Sequence, residues 1–145
     1  MRHGTNLIMT LLASAGTFVG IGIMQPTSET PHGLPGWLNL EAPTIIAAAH
    51  RNGVTDAQDI RLMFAIRQAE RGRAGLEFGI LVPGVNTLEL QAAWCACTIR
   101  NHHARHEAHA CGLEFLECLG NRYCPPDAHP LNKNWLKNVR YFLEK

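Results

Sequence analysis

From about residue 38 onward, apolar residues recur at spacings of three and four, with no sustained alternation and no hairpin dipeptide between apolar runs. The pattern predicts an all-α domain. A first helix is read in residues 41–53, "EAPTIIAAAHRNG", closed by Gly53. The next, "TDAQDIRLMFAIRQAE", opens with Thr55 and Gln58 at capping-box spacing and ends at Glu70. Ile60, Met63, Phe64 and Arg67 lie on one side of it, and Leu62, Ile66 and Ala69 on the neighbouring side. A stripe that wide predicts packing on two partners. The longest candidate, "NTLELQAAWCACTIRNHHARHEAHA", takes Thr87 as N-cap. "GLEFLECLGNRYC" must stop before Pro125-Pro126. "NKNWLKNVRYFLEK" closes the chain, with Trp135, Val139 and Phe142 at spacings of four and three. The expectation is about five helices with one irregular segment, residues 72–86, in their midst.

The pattern changes before the domain. Residues 4–28 carry no charge, and residues 7–24, "LIMTLLASAGTFVGIGIM", form an apolar run near the lower length limit for crossing a bilayer. Arg2 precedes it and Glu29 follows. Residues 1–25 read as an uncleaved membrane anchor. Ala13-Ser14-Ala15 offers a signal-peptidase site as the alternative, and a buried core helix is a third reading. With positive charge only on the N-terminal side, the rest of the chain should face the periplasm or cell exterior. Residues 26–37, rich in proline and glycine, read as a linker, and residues 38–145 as the folded unit.

Composition narrows the picture little. At 145 residues, 46% apolar and 17% charged, the chain has room for one ordinary core. A net charge of +1 gives no bulk attraction for nucleic acid, and no such partner is expected.

The candidate chemistry lies in "AIRQAERGRAGLEFGIL", residues 65–81, a helix that stops at Glu70 beside a glycine-bearing loop. A carboxylate at the negative end of a helix dipole is destabilised, and packing against an apolar neighbour such as Phe78 would raise its pKa further. A carboxylic acid still protonated near neutral pH can protonate a leaving oxygen, the first act of glycoside cleavage. Arg71 and Arg73 would oppose this if they pointed toward it. A solvated glutamate at a helix end is the plain alternative.

The same stretch resembles a pattern in small phage-associated and bacterial proteins of the lysozyme-like superfamily. In these an Ala-Glu-x-Gly segment leads into Glu-Phe-Gly-Ile/Val-Leu. "LELQAAWCACTIRNH" is similar to that group's long middle helix, and "FLECLGNRYCPPDAHPLNKNWLKNVRYFLEK" to its C-terminal segment. The resemblance spans roughly residues 60–145. It implies a lysozyme-like helical domain that cleaves peptidoglycan glycan strands without a cofactor, with Glu70 as the catalytic acid beside a sugar groove. The better-known lytic transglycosylase signature has Ser after its Glu and Gly-Leu-Met-Gln further on; here Arg71 and Phe78-Gly79-Ile80-Leu81 stand instead.

A hydrolase needs a second carboxylate. Glu77 and Asp127 are candidates, and Glu77 has the alternative task of holding loop amides. The resemblance implies that a lytic transglycosylase needs only one acid, because the sugar's own hydroxyl closes an anhydro ring; this single-acid chemistry is the favoured one. Glu77, Tyr123, Asn132 and Trp135 are the candidate substrate contacts, with Asn134 and Asn138 nearby. For Trp135 a core position is the competing expectation, and Tyr123 is a cleft residue by resemblance only. A catalytically inactive glycan-binding or structural component of a phage or envelope apparatus is the alternative function.

"CACTIRNHHARHEAHAC" supports a third reading, a small metal-binding helical protein. His102, His106 and His109 at spacings of four and three could share a helix face and hold zinc. No Cys-x-x-Cys or His-Glu-x-x-His accompanies them, and no metal is assigned. Outside the cytoplasm cysteines tend to pair, and five leaves one over. Cys118 with Cys124, or Cys111 with Cys95 or Cys97, are the candidate pairs; buried free thiols are the alternative.

Overall fold

A computed structural model describes residues 33–145. The expected anchor and most of the linker lie outside these. Among the described residues the chain is all-α, with no strand, and no helix there is long and apolar enough to cross a membrane. The helices are α1 (Gly36–Arg51), α2 (Ala57–Glu70), α3 (Leu88–Glu107), α4 (Phe115–Tyr123) and α5 (Trp135–Leu143), the last entered through a 3-10 turn at Asn132–Asn134.

The centre is α2. Every residue from Ile60 to Arg67 except Arg61 is buried. No amphipathic surface helix has so wide a buried face, and α2 accordingly packs on three partners, α1, α3 and α5, where two were expected. Its N-cap is Asp56 rather than the expected Thr55: the Asp56 carboxylate accepts from the amides of Gln58 (2.8 Å) and Asp59 (3.3 Å). Asp56 sits one residue closer to the helix, so its short side chain reaches the two orphan amides of the first turn.

The start of α1 also differs. The expected start at residue 41 places Pro43 in the first turn, where its missing N–H costs nothing. The helix instead begins at Gly36 and carries Pro43 inside. An interior proline costs about 3 kcal/mol. The extra turn offsets this by burying Leu38 completely and by laying the Trp37 ring 4.9 Å from the Arg67 guanidinium. At the other end Gly53, with φ +79°, takes the left-handed conformation that closes the helix.

Thr87 caps α3 as expected, its Oγ1 accepting from the Leu90 amide at 3.3 Å. α1 packs mainly on α3 and α2 on α5, with α4 bridging α3 and α5. Phe64, Ile66, Phe78, Ile99, Leu119 and Val139 form one continuous core between them. The disulfide is Cys111–Cys118, a pairing the sequence reading did not include. It ties the α3–α4 connection to the first turns of α4. Cys124 lies at the far end of α4, and Cys95 and Cys97 are in mid-α3; all three are free, so both expected pairings are corrected.

Candidate active site

Residues 71–87 leave the end of α2 and return to α3 without regular structure, so their backbone polar groups need partners from elsewhere. Side chains from α2, α3 and the loop itself supply most of them, and Tyr123 of α4 supplies another. Gln91, fully buried on α3, accepts from the amides of Phe78 (3.2 Å) and Ile80 (3.1 Å), and its carboxamide nitrogen lies 2.6–3.2 Å from the carbonyls of Gly75, Ile80 and Val85. Arg67 donates to the Glu77 carbonyl at 3.2 Å while its other nitrogens grip both oxygens of Glu41 at 2.7 and 2.8 Å. Glu77 accepts from the Gly75 amide at 2.9 Å. The loop is thereby fixed from inside by α2, α3 and α4.

The sequence reading passed over Gln91 and took Arg67 for part of an apolar side. The signal was present: Gln91, Cys95, Ile99 and His102 share one buried stripe of α3, and a polar residue in register with apolar ones must bring its own partners.

Glu70 is the last residue of α2, and the loop folds back over it. The carboxylate is half-buried. Its Oε1 accepts from Trp135 Nε1 at 2.8 Å. Its Oε2 lies against the Cα of Gly79: a Cβ built there would stand 2.5 Å from it. Burial pushes the Glu70 pKa up, against the smaller opposing effect of the Trp135 hydrogen bond. No charged neighbour contributes, and Arg71 and Arg73 are exposed with no ion pair to it. Arg71 instead closes the helix in the left-handed conformation, with φ 45°.

The floor beside Glu70 comes from α4 and α5. Tyr123 stacks on Trp135 with ring centroids 5.4 Å apart, and its hydroxyl donates to the Phe78 carbonyl at 2.7 Å. Burial drives the Tyr123 hydroxyl well above its ordinary pKa, and the nearby Cys95 thiol and Glu70 carboxylate add to this. Burial likewise raises the thiols of Cys95 and Cys124, and Glu70 contributes to both. At neutral pH the surroundings of Glu70 are therefore uncharged aromatic, hydroxyl and thiol groups. An open groove of about 390 Å³ is lined by Gly79 and Tyr123 together with Ile80, Leu81, Trp94, Thr98 and Arg122; Glu70 does not line it and meets it only across Gly79. A smaller depression of about 180 Å³ flanks Trp135 and reaches Cys124 and Asn132.

The expected substrate contacts fare differently. Trp135 is only 5% exposed and belongs to the core; its polar end orients Glu70. Glu77, 7% exposed, accepts from the Gly75 amide through Oε1 while its buried Oε2 has no partner among the described residues, and it does not line the groove. Asn132 edges the smaller depression, but its carboxamide donates to the Pro125 carbonyl at 2.9 Å and so braces its own turn. Tyr123 does line the groove, though its hydroxyl proton is engaged. Asp127 is exposed in the 125–130 turn, and Asn134 and Asn138 are exposed as well.

The histidines have other partners. His102 Nε2 lies 3.0 Å from the Phe115 carbonyl, His103 Nε2 lies 2.8 Å from Asp59, and His106 Nε2 lies 3.2 Å from the Leu113 carbonyl. The Phe115 ring contacts all three imidazoles. Among the described residues no three His, Cys, Asp or Glu side chains are grouped to hold a metal ion.

Glu70→Gln tests the environment directly, because the amide keeps the Oε1 acceptor but has no charge to desolvate. A folded-state pKa raised above the ordinary 4.5 makes the acid's contribution to stability complete below pH 4.5 and lost as pH rises through the folded value. A raised pKa is a free-energy cost borne by the folded carboxylate once it ionises. The variant should therefore melt higher than the parent at pH 7, by about 4 °C or more for each kcal/mol gained. The difference should vanish near pH 4. A calorimetric melt at both values reads this, and a gap that does not change with pH contradicts the desolvated carboxylate.

No family model, curated protein or solved structure matches the chain, so its likeness to the lysozyme-like group rests on the motifs of residues 60–145.

Proposed function

We propose that residues 36–145 form a lysozyme-like domain that cleaves the glycan strands of peptidoglycan, with Glu70 as a single general acid. The observation that carries this is the setting of Glu70: a carboxyl with raised pKa at a helix end, oriented by the Trp135 indole, and packed against Gly79, which lines an open groove. Raised pKa keeps the proton available at higher pH than an exposed glutamate would. The acid gives its proton to the glycosidic oxygen as the C1–O bond breaks. The sugar's own C6 hydroxyl then bonds to C1 and returns its proton to the Glu70 carboxylate, closing the anhydro ring and restoring the acid. No second carboxylate is needed, in keeping with Glu77 being buried away from the groove. Arg71 carries no part of this; its role is to end the helix. The apolar run of residues 7–24 would tether the domain to a membrane, facing the periplasm or cell exterior.

The test adds the full chain to purified cell-wall sacculi and measures soluble muropeptides. Native protein should release them, and Glu70→Gln should slow release roughly 10²–10⁴-fold. Anhydro ends in the products mark the transglycosylase route, and reducing ends the hydrolytic one. Equal release by the variant, or none by the native chain, sinks the Glu70 mechanism. A second reading, glycan binding without cleavage in a phage or envelope apparatus, draws on how closely Trp135 and Gly79 enclose the carboxylate. Binding to sacculi with no release would favour it.

A further inference from the structure

The imidazoles at the α3–α4 junction have no task in the chemistry above. His102 is only 3% exposed and belongs to the buried stripe of α3. A carbonyl oxygen only accepts, so the 3.0 Å contact with the Phe115 carbonyl places the His102 proton on Nε2. Nδ1 is then left as an acceptor, and it is buried with no partner among the described residues. A second proton on this ring has that one place to go, where its N–H is shut away from solvent and meets no acceptor. The surrounding charges oppose it as well. His103, Arg105 and His106 of the same helix all disfavour a cation at His102. The acids of the neighbouring helices are engaged elsewhere: Asp59 of α2 meets His103 Nε2 at 2.8 and 2.9 Å, and Glu114 at the start of α4 is tied to Arg140 of α5 at 2.8 Å. Burial lowers the His102 pKa from its ordinary 6.5; the bond to the Phe115 carbonyl opposes this, and the three basic neighbours add to it.

We infer that His102 is a proton-operated latch, which holds α4 on α3 while neutral and releases it when protonated. The side-chain hydrogen bonds from α3 to residues 111–118 are both imidazole ones, His102 to the Phe115 carbonyl and His106 to the Leu113 carbonyl at 3.2 Å. The Phe115 ring is wedged against all three imidazoles. The Cys111–Cys118 disulfide joins the connection to α4 and does not cross to α3, so it leaves the two free to part. His103 works in the opposite sense: protonated, it is an ion pair with Asp59 and keeps α3 on α2. Acid therefore loosens one face of α3 and not the other. The far end of α4 carries Tyr123, whose hydroxyl holds the Phe78 carbonyl and whose ring stacks on Trp135. Gly120 of the same helix packs so closely that a Cβ there would stand 3.1 Å from the Trp135 ring. Releasing α4 thus withdraws the support behind Trp135 and Glu70, and neutral pH restores it. The latch is independent of the glycan reading.

The test is native-state hydrogen exchange on the full chain between about pH 7.5 and pH 5, with the His102 ring titrated by NMR over the same range. Exchange is read as protection factors, so that its intrinsic pH dependence cancels. A folded pKa below 6.5 gives a contribution that is complete above pH 6.5 and lost as pH falls through the folded value. Each unit by which the ring titrates below 6.5 should lower α4 protection about tenfold. The fall should level off below the ring's own midpoint, and the amides of α1 and α2 should keep their protection. His102→Gln keeps an N–H donor for the Phe115 carbonyl and takes no proton in this range, so its α4 protection should not change with pH. His103→Gln should leave the fall in α4 intact. The native chain decides the matter even if His102→Gln does not fold. A ring that titrates at or above 6.5, α4 protection that is constant with pH, or a loss shared equally by all five helices overturns the latch, as does an unaltered fall in folded His102→Gln.

Discussion

Replacing Glu41 by alanine should destabilise the domain by about 3–5 kcal/mol, the cost of leaving a buried charge without its partner. Arg67 is only 6% exposed along its side chain and holds both Glu41 oxygens. Without them its guanidinium keeps the Glu77 carbonyl and the Trp37 ring, neither of which carries a neutralising charge. A fold of this size is stable by about 5–15 kcal/mol in all, so the loss is a large share of the total. It should appear as a fall in melting temperature of about 10–20 °C. Arg67→Met in the Glu41→Ala background should recover much of the loss, because an apolar side chain of similar length has no charge to strand. A double-mutant cycle by urea unfolding measures the coupling. A cost for Glu41→Ala below about 1 kcal/mol would mean that water replaces the carboxylate freely and that the pair is a surface one.

That pair also marks what could be read from the sequence and what could not. The helical class, the end of α2 at Glu70, the Thr87 cap and the stop before Pro125 all follow from local rules, and they appear where the spacing puts them. The early start of α1 does not follow locally. Pro35-Gly36 looks like linker until Leu38 and Glu41 have a core and an Arg67 to meet. Glu70 was legible as a candidate because a charge ended an apolar helix. Its partner Trp135 lies 65 residues away, so spacing on α5 could place it in the core but could not tell what its N–H would do. The groove was not legible for a related reason: Trp94 and Arg122 are ordinary on their own helices, and only the packing of α4 beside α3 brings them to one groove. Cys111 and Cys118 share a fate set by how the 108–114 connection turns back onto α4, which no spacing rule specifies.

Gly72→Ala and Gly79→Ala should separate the scaffold of the loop from its chemistry. At Gly72 the backbone lies in the ordinary negative-φ range, so propensity alone predicts a harmless change. Space forbids it: a Cβ would collide with the Leu76 carbonyl oxygen. That oxygen is backbone, and it already accepts the Gly79 amide at 2.9 Å, so it cannot give way without opening the turn. Gly72→Ala should therefore cost stability at or above the top of the roughly 1–3 kcal/mol range for overpacking, and should lower melting temperature and cleavage together. Gly79 differs in both respects. Its φ of +70° makes any side chain strained by about 1–2 kcal/mol. The atom its Cβ would strike is the Glu70 carboxylate, at the end of a flexible side chain. The carboxylate can swing aside, but in doing so it leaves Trp135 Nε1 and its place against the loop. An acid displaced by about 1 Å loses on the order of 10²-fold in rate. If the proposed cleavage holds, Gly79→Ala should accordingly fold with a modest loss of stability yet release muropeptides about a hundred times more slowly. A Gly79→Ala protein that retains native cleavage would mean that the position of the Glu70 carboxylate against the loop is incidental to the reaction.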